Sequence, residues 1–360
     1  MTHLELFAGI GGFRRALDLL TKDKVMRFRS IGYSENDANA LATYTSNFIS
    51  KGNNEISMGD IVEFTADENN IRNLPNFDLL TGGFPCQSFS MMGNQLGFID
   101  EDRGQLFFRI IDILRIKKPK NVLLENVKNL YTHDHGNTFH CILYELKKLG
   151  YNVISNIFDT QDFHLPQKRR RVLIFATSNP IPEDAEKNFT PENVKKLFDK
   201  RYKKTSVLSF DTVLDILAKE VEPKYFLSEK IKPTILADGS ANFKSKSDIN
   251  QIIARPLTAS MHKMHRACQD NYYSQNFIDS FGKVNPVLTS TKEELALLPI
   301  RKLTPEESFM LQGFPKEFAI KARANGVSDG ALYKQAGNAV SVNTIYAVLY
   351  YLIKNHIMIE

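Results

Sequence analysis

Strand-like and helix-like patterns alternate through the first half of this chain, and that alternation is what most constrains its fold. Leu4-Glu5-Leu6-Phe7 reads as a strand, followed by a glycine turn and a helix from about Gly12 to Leu20. Arg29–Ser34 reads as a second strand, with a helical pattern from Asp37 to Phe48 after it. Asp78-Leu79-Leu80, Asn121–Leu124 and Val172–Ala176 are further short apolar strands. A helix with Leu106, Ile110, Ile113 and Leu114 on one face falls between the first two of these. Strands alternating with helices predict an α/β fold with a doubly wound, mostly parallel sheet.

The texture changes after Pro180 and Pro182. Residues 185–299 are irregular and rich in Lys, Ser and Asn, which predicts a second, smaller domain. Helical signals return at Leu303, where Thr304 is placed to cap and Pro305-Glu306-Glu307 to fill a first turn. Ala339–Asn355 reads as a buried amphipathic helix. The expected division is therefore 1–184, then 185–299, with 300–360 returning to complete the first domain.

Composition narrows the class. The 360 residues suffice for one large domain or two ordinary ones, and 42% are hydrophobic. A net charge of +5 is compatible with an anionic partner without requiring one. Three widely separated cysteines, Cys86, Cys141 and Cys268, make no disulfide framework and suggest a reducing compartment. No apolar run suggests a membrane span, and the first residues lack the pattern of a secretory signal. The expectation is a monomeric, cytosolic protein with no membrane association and no obligate protein partner.

Five local patterns carry chemistry. Gly82-Gly83-Phe84-Pro85-Cys86-Gln87-Ser88 places a thiol after a strand that the glycines are expected to break, with Pro85 fixing the backbone beside it. A lone cysteine is more often buried and inert, but an exposed, aimed thiol is what a nucleophile requires. Phe7-Ala8-Gly9-Ile10-Gly11-Gly12 offers small residues and free helix amides at the first strand-to-helix turn, though it is not the G-x-G-x-x-G fingerprint. Glu35, at the end of the second strand, suits a ribose, and Asp60 in Gly59-Asp60-Ile61 suits an adenine amino group. Either carboxylate read alone is equally a surface group.

Glu125-Asn126-Val127 follows an apolar strand, where a carboxylate is either a proton donor or a structural cap. Pro166–Arg171 is a basic run in which alternation would put Gln167, Arg169 and Arg171 on one side, suited to a phosphate or a base carbonyl. Gln335–Val340 reads as a tight turn leading into the last helix. His262, His265 and Cys268 have a spacing that invites zinc, but no fourth ligand is evident, so no metal is expected.

Taken in order, these segments resemble the cytosine-C5 DNA methyltransferases. The resemblance rests on Phe7–Gly12, Glu35, Asp60-Ile61, Phe84-Pro85-Cys86-Gln87, Arg103–Phe107, Glu125-Asn126-Val127, Gln167-x-Arg169-x-Arg171, Arg301–Pro305 with Gln312–Pro315, and Gly337-Asn338-Ala339-Val340. It covers nearly the whole chain except 185–299. Two departures stand out: Glu5 where many members have Asp, and Asn36 where many place an aromatic against the cofactor adenine. Phe7 would supply one face of that sandwich and an aliphatic such as Ile61 the other.

The resemblance implies S-adenosyl-L-methionine as cofactor, held by Phe7, Ala8, Gly9, Ile10, Gly11, Gly12, Glu35, Asp60, Ile61, Pro85, Leu106, Asn338, Ala339 and Val340. It implies attack by Cys86 on carbon 6 of a flipped-out cytosine in duplex DNA. Glu125 would hold the N3 and N4 edge and Arg169 the base O2, with Arg171 in support. Ser88–Arg103 would be a mobile loop closing over the base. Residues 185–299 fall where the family places its target-recognition domain. Gln87, Ser88, Gln167, Arg255, Lys263 and Arg266 are the candidate DNA contacts. The implied role is the modification enzyme of a bacterial restriction system, acting in the cytosol.

Three other readings compete: an RNA cytosine methyltransferase of the same fold, a silent DNA-binding relative, and a nicotinamide dehydrogenase. Labelled-methyl transfer to DNA against tRNA separates the first. The complete set Cys86, Glu125 and Arg169 weighs against the second. The missing dinucleotide fingerprint weighs against the third.

Overall fold

The computed structural model describes residues 1–50, 54–85, 105–239, 246–281 and 290–359. Cys86, Gln87, Ser88 and the expected Ser88–Arg103 loop lie outside the described residues.

Seven strands form one sheet in the order β3-β2-β1-β4-β5-β7-β6: β1 (Thr2–Leu6), β2 (Arg29–Tyr33), β3 (Ile56–Ser57), β4 (Leu79–Gly83), β5 (Asn121–Val127), β6 (Asn152–Asp159) and β7 (Arg170–Thr177). The first five pair in parallel, and β7 runs antiparallel to both β5 and β6. The expected mostly parallel α/β sheet is present. Its central strands read clearly because both faces are covered, so they appear as near-continuous apolar runs. Leu4, Leu6, Leu80, Val122, Leu124, Val172 and Ile174 share one core with Phe107, Ile110 and Ile113 of the helix Gln105–Lys117 and Ile142 of the helix Asn137–Lys148.

Two local expectations are corrected, and one strand is new. Gly82 and Gly83 continue β4 rather than break it, pairing in register with Leu124 and Glu125. Gln335–Asn338 is not a turn but the last turn of the helix Asp329–Asn338, and the break before the last helix, Val342–Lys354, falls at Ala339–Ser341. β6 was not anticipated: its Ser155, Asn156 and Asp159 disguise an antiparallel strand.

Contacts divide the chain into two compact units. One is Met1–Phe163 with Arg170–Val207 and Val340–Glu360; the other is His164–Arg169 with Leu208–Ala339. The divisions fall at 163/164, 169/170, 207/208 and 339/340. Residues 185–207 belong with the sheet because the helix Pro191–Asp199 buries Phe198 against Phe163 and Tyr346. The stretch Asp329–Lys354 is apolar enough to cross a membrane, yet 89% of its window is buried in the protein.

The second unit is built mainly of loops and short helices around Leu227, Ile235, Ile249, Tyr272, Leu295 and Ile300. Its strands β8 (Tyr272–Ser274) and β9 (Ile300–Lys302) pair antiparallel. Arg301 and Glu307 form a buried, two-pronged ion pair, with Nη1 and Nη2 at 2.9 and 2.8 Å from the carboxylate. Glu307 also closes a capping box with Thr304, as the sequence Thr304-Pro305-Glu306-Glu307 predicts.

Candidate active site

The first strand-to-helix turn is built to hold its backbone open. β1 ends at Leu6, and Phe7, Gly9 and Gly11 all have positive φ, at 53°, 54° and 81°. For Phe7 this is uncommon backbone, held by its neighbours. Gly11 is required twice over, because a Cβ there would also stand 2.3 Å from the Phe48 ring. A Cβ on Gly9, by contrast, would meet nothing within 4 Å, so the turn faces open space where a ligand can approach the main chain. Ala8, Ile10 and Gly12 are buried beneath it, and Val340 packs against Gly12.

Glu35 fixes this turn. Its Oε2 accepts from Gly9 N at 2.7 Å and its Oε1 from Asp37 N at 2.7 Å. The carboxylate thereby ties the glycine turn to the start of the helix Ala38–Phe48 and keeps lone pairs for a further donor. Asp60 caps the helix Ile61–Thr65 through Val62 N at 2.7 Å, and its Oδ2 accepts from Asn36 Nδ2 at 2.8 Å. Asn36 therefore positions Asp60. Ile61 is turned into the core, Leu106 is half-buried against it, and Asn338 is exposed.

Glu125 lies within β5, not beyond it. Its carboxylate meets Arg171 Nε at 2.9 Å. Antiparallel pairing explains the contact: Glu125 lies opposite Leu173, so Arg171 is its diagonal neighbour on the same face. Both side chains are partly exposed, at 11% and 20%. A Cβ on Gly83 would be 3.4 Å from Glu125 Oε2, so the carboxylate lies over the end of β4. Asn126 Nδ2 donates to Phe84 O at 2.9 Å and pins the chain just before exposed Pro85.

In the second unit the Arg169 guanidinium is 2% exposed and donates to Leu257 O at 3.1 Å, Gly337 O at 2.9 Å and Ala339 O at 2.8 Å. A guanidinium donating to three main-chain carbonyls acts as a structural clamp. Gln167 is held in a similar way. It is fully buried, donates to Leu311 O at 2.9 Å and accepts from Leu257 N at 3.0 Å. Alternation does place Gln167 and Arg169 together, but both turn inward, while Arg171 goes to Glu125.

Segment 257–270 is braced from several sides. Gly337 is obligatory there, since a Cβ would stand 2.3 Å from the Thr258 carbonyl carbon. Arg266 bonds Asp270, Thr258 Oγ1 and Ser260 Oγ, and Arg255 reaches Asp270 O. Arg266 is therefore a brace as well as a DNA candidate, whereas Lys263 is exposed. His265 Nδ1 hydrogen-bonds Tyr272 Oη at 3.0 Å. Among the described residues no three His, Cys, Asp or Glu side chains are grouped to hold a metal ion.

One feature beneath the turn escaped the sequence reading. His3 and Glu5, on one face of β1, are completely buried. His3 Nε2 meets Thr81 Oγ1 at 2.7 Å, and burial lowers its pKa to about 3. Burial pushes Glu5 up to about 8, against the opposing pull of Arg14. Arg14 pairs with Asp18 at 3.0 Å and Glu55 at 2.6 Å.

The C-5 cytosine-specific DNA methylase family matches residues 1–354. The Type II methyltransferase M1.ScrFI of Lactococcus lactis subsp. cremoris is 36% identical over 346 residues, covering 96% of this chain and 76% of that protein. M.NgoBI of Neisseria gonorrhoeae is 34% identical, covering 96% and 90%. The crystal structure of S. pombe Dnmt2 methyltransferase shares the fold, with TM-score 0.69 at 20% identity over 98% of each chain. The chain belongs to the C-5 cytosine-specific DNA methylase family: it is a DNA cytosine-5 methyltransferase of restriction–modification type that uses S-adenosylmethionine.

Proposed function

We propose that this enzyme methylates carbon 5 of a cytosine flipped out of a specific duplex sequence, through a transient bond between Cys86 and carbon 6. The observation that carries the reading is the Glu125–Arg171 pair lying over Gly83, three residues before Cys86. A base in a stacked duplex cannot be attacked at carbon 6, so it has to leave the helix. The Cys86 thiolate adds to carbon 6, the electron pair moves to carbon 5, and Glu125 holds the N3 and N4 edge so that N3 can be protonated. Arg171, beside that carboxylate, takes the base O2 in place of Arg169. When bound, S-adenosylmethionine supplies an electrophilic methyl group. Loss of the carbon 5 proton then expels the thiolate and restores aromaticity.

The cofactor is held at the opening over Gly9. Phe7 lies at its side, Glu35 takes the ribose hydroxyls, and Asp60, steadied by Asn36, takes the adenine amino group. Pro85, Leu106 and Val340 complete the wall. Sequence recognition is placed in that part of 185–299 which belongs to the second unit, residues 208–299, with Lys263 and Arg255 among its contacts. The enzyme acts in the bacterial cytosol as a monomer.

Duplex DNA carrying 5-fluorocytosine tests the mechanism, because fluorine cannot leave carbon 5 as a cation. The trapped adduct maps to the Cys86 peptide, and Cys86→Ser forms none. An adduct at Cys141 or Cys268 overturns the assignment.

A further inference from the structure

The sheet unit carries a cationic face away from its active edge. The cofactor turn and Glu125 lie at the carboxyl ends of the parallel strands. The last helix starts beside that edge, with Val340 on Gly12, and runs alongside the helix Gly12–Lys22, with Tyr346 Oη donating to Asp23 at 2.8 Å. At its far end, just before β2 begins, is a groove of about 560 Å³. Met26, Ile353, Met358 and Ile359 form its apolar wall, and Arg27, Lys354 and His356, all exposed, form its rim.

The positive charge extends beyond the groove. Lys354 Nζ lies 5.9 Å from the centroid of the Tyr350 ring, and the Arg201 guanidinium lies 5.2 Å from the same ring. Arg201 also donates to Asp23 O at 2.9 Å. Lys22 and Lys24 flank Asp23, and Lys203 and Lys204 follow Arg201; all four are exposed. The carboxylate in the midst of these cations, Asp23, accepts from Ser206 N, Ser206 Oγ and Tyr346 Oη and sets one negative charge against theirs. The aromatic ring between Arg201 and Lys354 holds their positions without neutralising them.

We propose that this face is a second binding surface for duplex DNA, which grips the phosphate backbone of a segment other than the one being methylated. Lys and Arg in excess over carboxylates on one face are the electrostatic footprint of a polyanion's binding surface, and they carry no base specificity. The enzyme already works on such a polyanion. A second grip would let it hold one DNA segment while releasing another, as an enzyme searching a long molecule for scattered sites requires.

The test counts duplexes per chain by sedimentation, using a short dA·dT duplex that contains no cytosine, at about 50 mM salt where phosphate contacts are strong. The double reversal Arg27→Glu with Lys354→Glu is compared with wild type and with Lys321→Glu, an exposed charge in the second unit. The double reversal is expected to lose one bound duplex per chain, while the Lys321 variant loses none. On a short target-bearing duplex, methylation by the double variant should stay within twofold of wild type, which shows that fold and chemistry are intact. Equal stoichiometry for wild type and double variant overturns the proposal and leaves the groove to an acidic protein segment. The Cys86 adduct is read separately, so failure here is distinct from failure of the catalytic reading.

Discussion

Arg171 and Arg169 are two residues apart and of one chemistry, yet the fold gives them opposite uses. Arg171 belongs to the sheet unit, partly exposed and facing the Glu125 carboxylate. Arg169 belongs to the second unit, buried on the carbonyls of Leu257, Gly337 and Ala339. The same contrast runs through both units. In the sheet unit, polar groups lie at the strand ends: Glu35 brackets a turn that faces open space, and Glu125 lies over a glycine. In the second unit, Gln167, Arg169, Arg301 and Glu307 are consumed by main chain or by each other. One set is poised for a ligand and the other holds the frame.

The sharpest way to break that comparison is to remove each arginine in turn. Arg171→Ala should lower kcat by two or more orders of magnitude, the scale of losing one positioned donor to developing charge. Its unfolding midpoint should move little. Arg169→Ala should instead destabilise the second unit by several kcal/mol, because it leaves buried carbonyls unsatisfied. Urea unfolding followed beside single-turnover methylation reads both effects. Equal loss of stability in the two variants would erase the distinction.

Gly337 probes the same frame from the other side. Gly337→Ala drives a methyl group into the Thr258 main chain at 2.3 Å, with no flexible side chain to yield. A loss of roughly 1–3 kcal/mol is expected, as for overpacking. Gly9→Ala is the counterpart in the sheet unit. Its Cβ meets no protein atom within 4 Å, so its effect should fall mainly on cofactor affinity, beyond the strain set by φ of 54°. Calorimetric titration with S-adenosylmethionine checks this; unchanged affinity would move the cofactor off this turn.

The outline of the sheet was legible because β1, β2, β4, β5 and β7 are apolar runs punctuated by glycine or by capping residues. β6 was not, because a strand paired on one side and polar at Ser155 and Asn156 has no such run. The site was legible as residue types in order but not as geometry. Alternation correctly put Gln167 and Arg169 on one side, but nothing local says whether that side faces ligand or protein. The carbonyls that claim Arg169 are 88 to 170 residues away in sequence. The division at 207/208 was hidden for a similar reason: the helix Pro191–Asp199 looks like a solvated lysine face until Phe198 is seen packed under the last helix.

Glu35→Ala should have a smaller effect. It removes the acceptor from Gly9 N and Asp37 N, and with it the proposed ribose contact. Cofactor binding should weaken by about 1–3 kcal/mol, while DNA affinity without cofactor stays constant. An unchanged cofactor affinity in the calorimeter would place the ribose elsewhere and leave Glu35 as a brace only.

The smallest expected effect concerns the polar layer under the turn, where burial rather than ligand sets the chemistry. Glu5 rises from 4.5 to about 8 on folding, so between those values the native state holds a proton that the unfolded chain has lost. Stability contributed by neutral Glu5 is complete below 4.5 and declines as pH rises toward 8. His3 falls from 6.5 to about 3, so there the unfolded chain binds the extra proton and stability declines as pH drops below 6.5. Between 4.5 and 6.5 the two slopes oppose each other, and above 6.5 Glu5 acts alone. From pH 6.5 to 8 wild type should lose up to about 2 kcal/mol relative to Glu5→Gln, since each unit of pH is worth roughly 1.4 kcal/mol. Arg14, Asp18, Glu55 and Tyr44 face the same carboxyl group and are present in both proteins, so the difference isolates Glu5. Urea unfolding of the pair at the two pH values gives the measurement. Parallel losses would mean that Glu5 is already ionised at pH 6.5, held by Arg14, and that the layer beneath the cofactor turn is an ion-pair network rather than a protonated one.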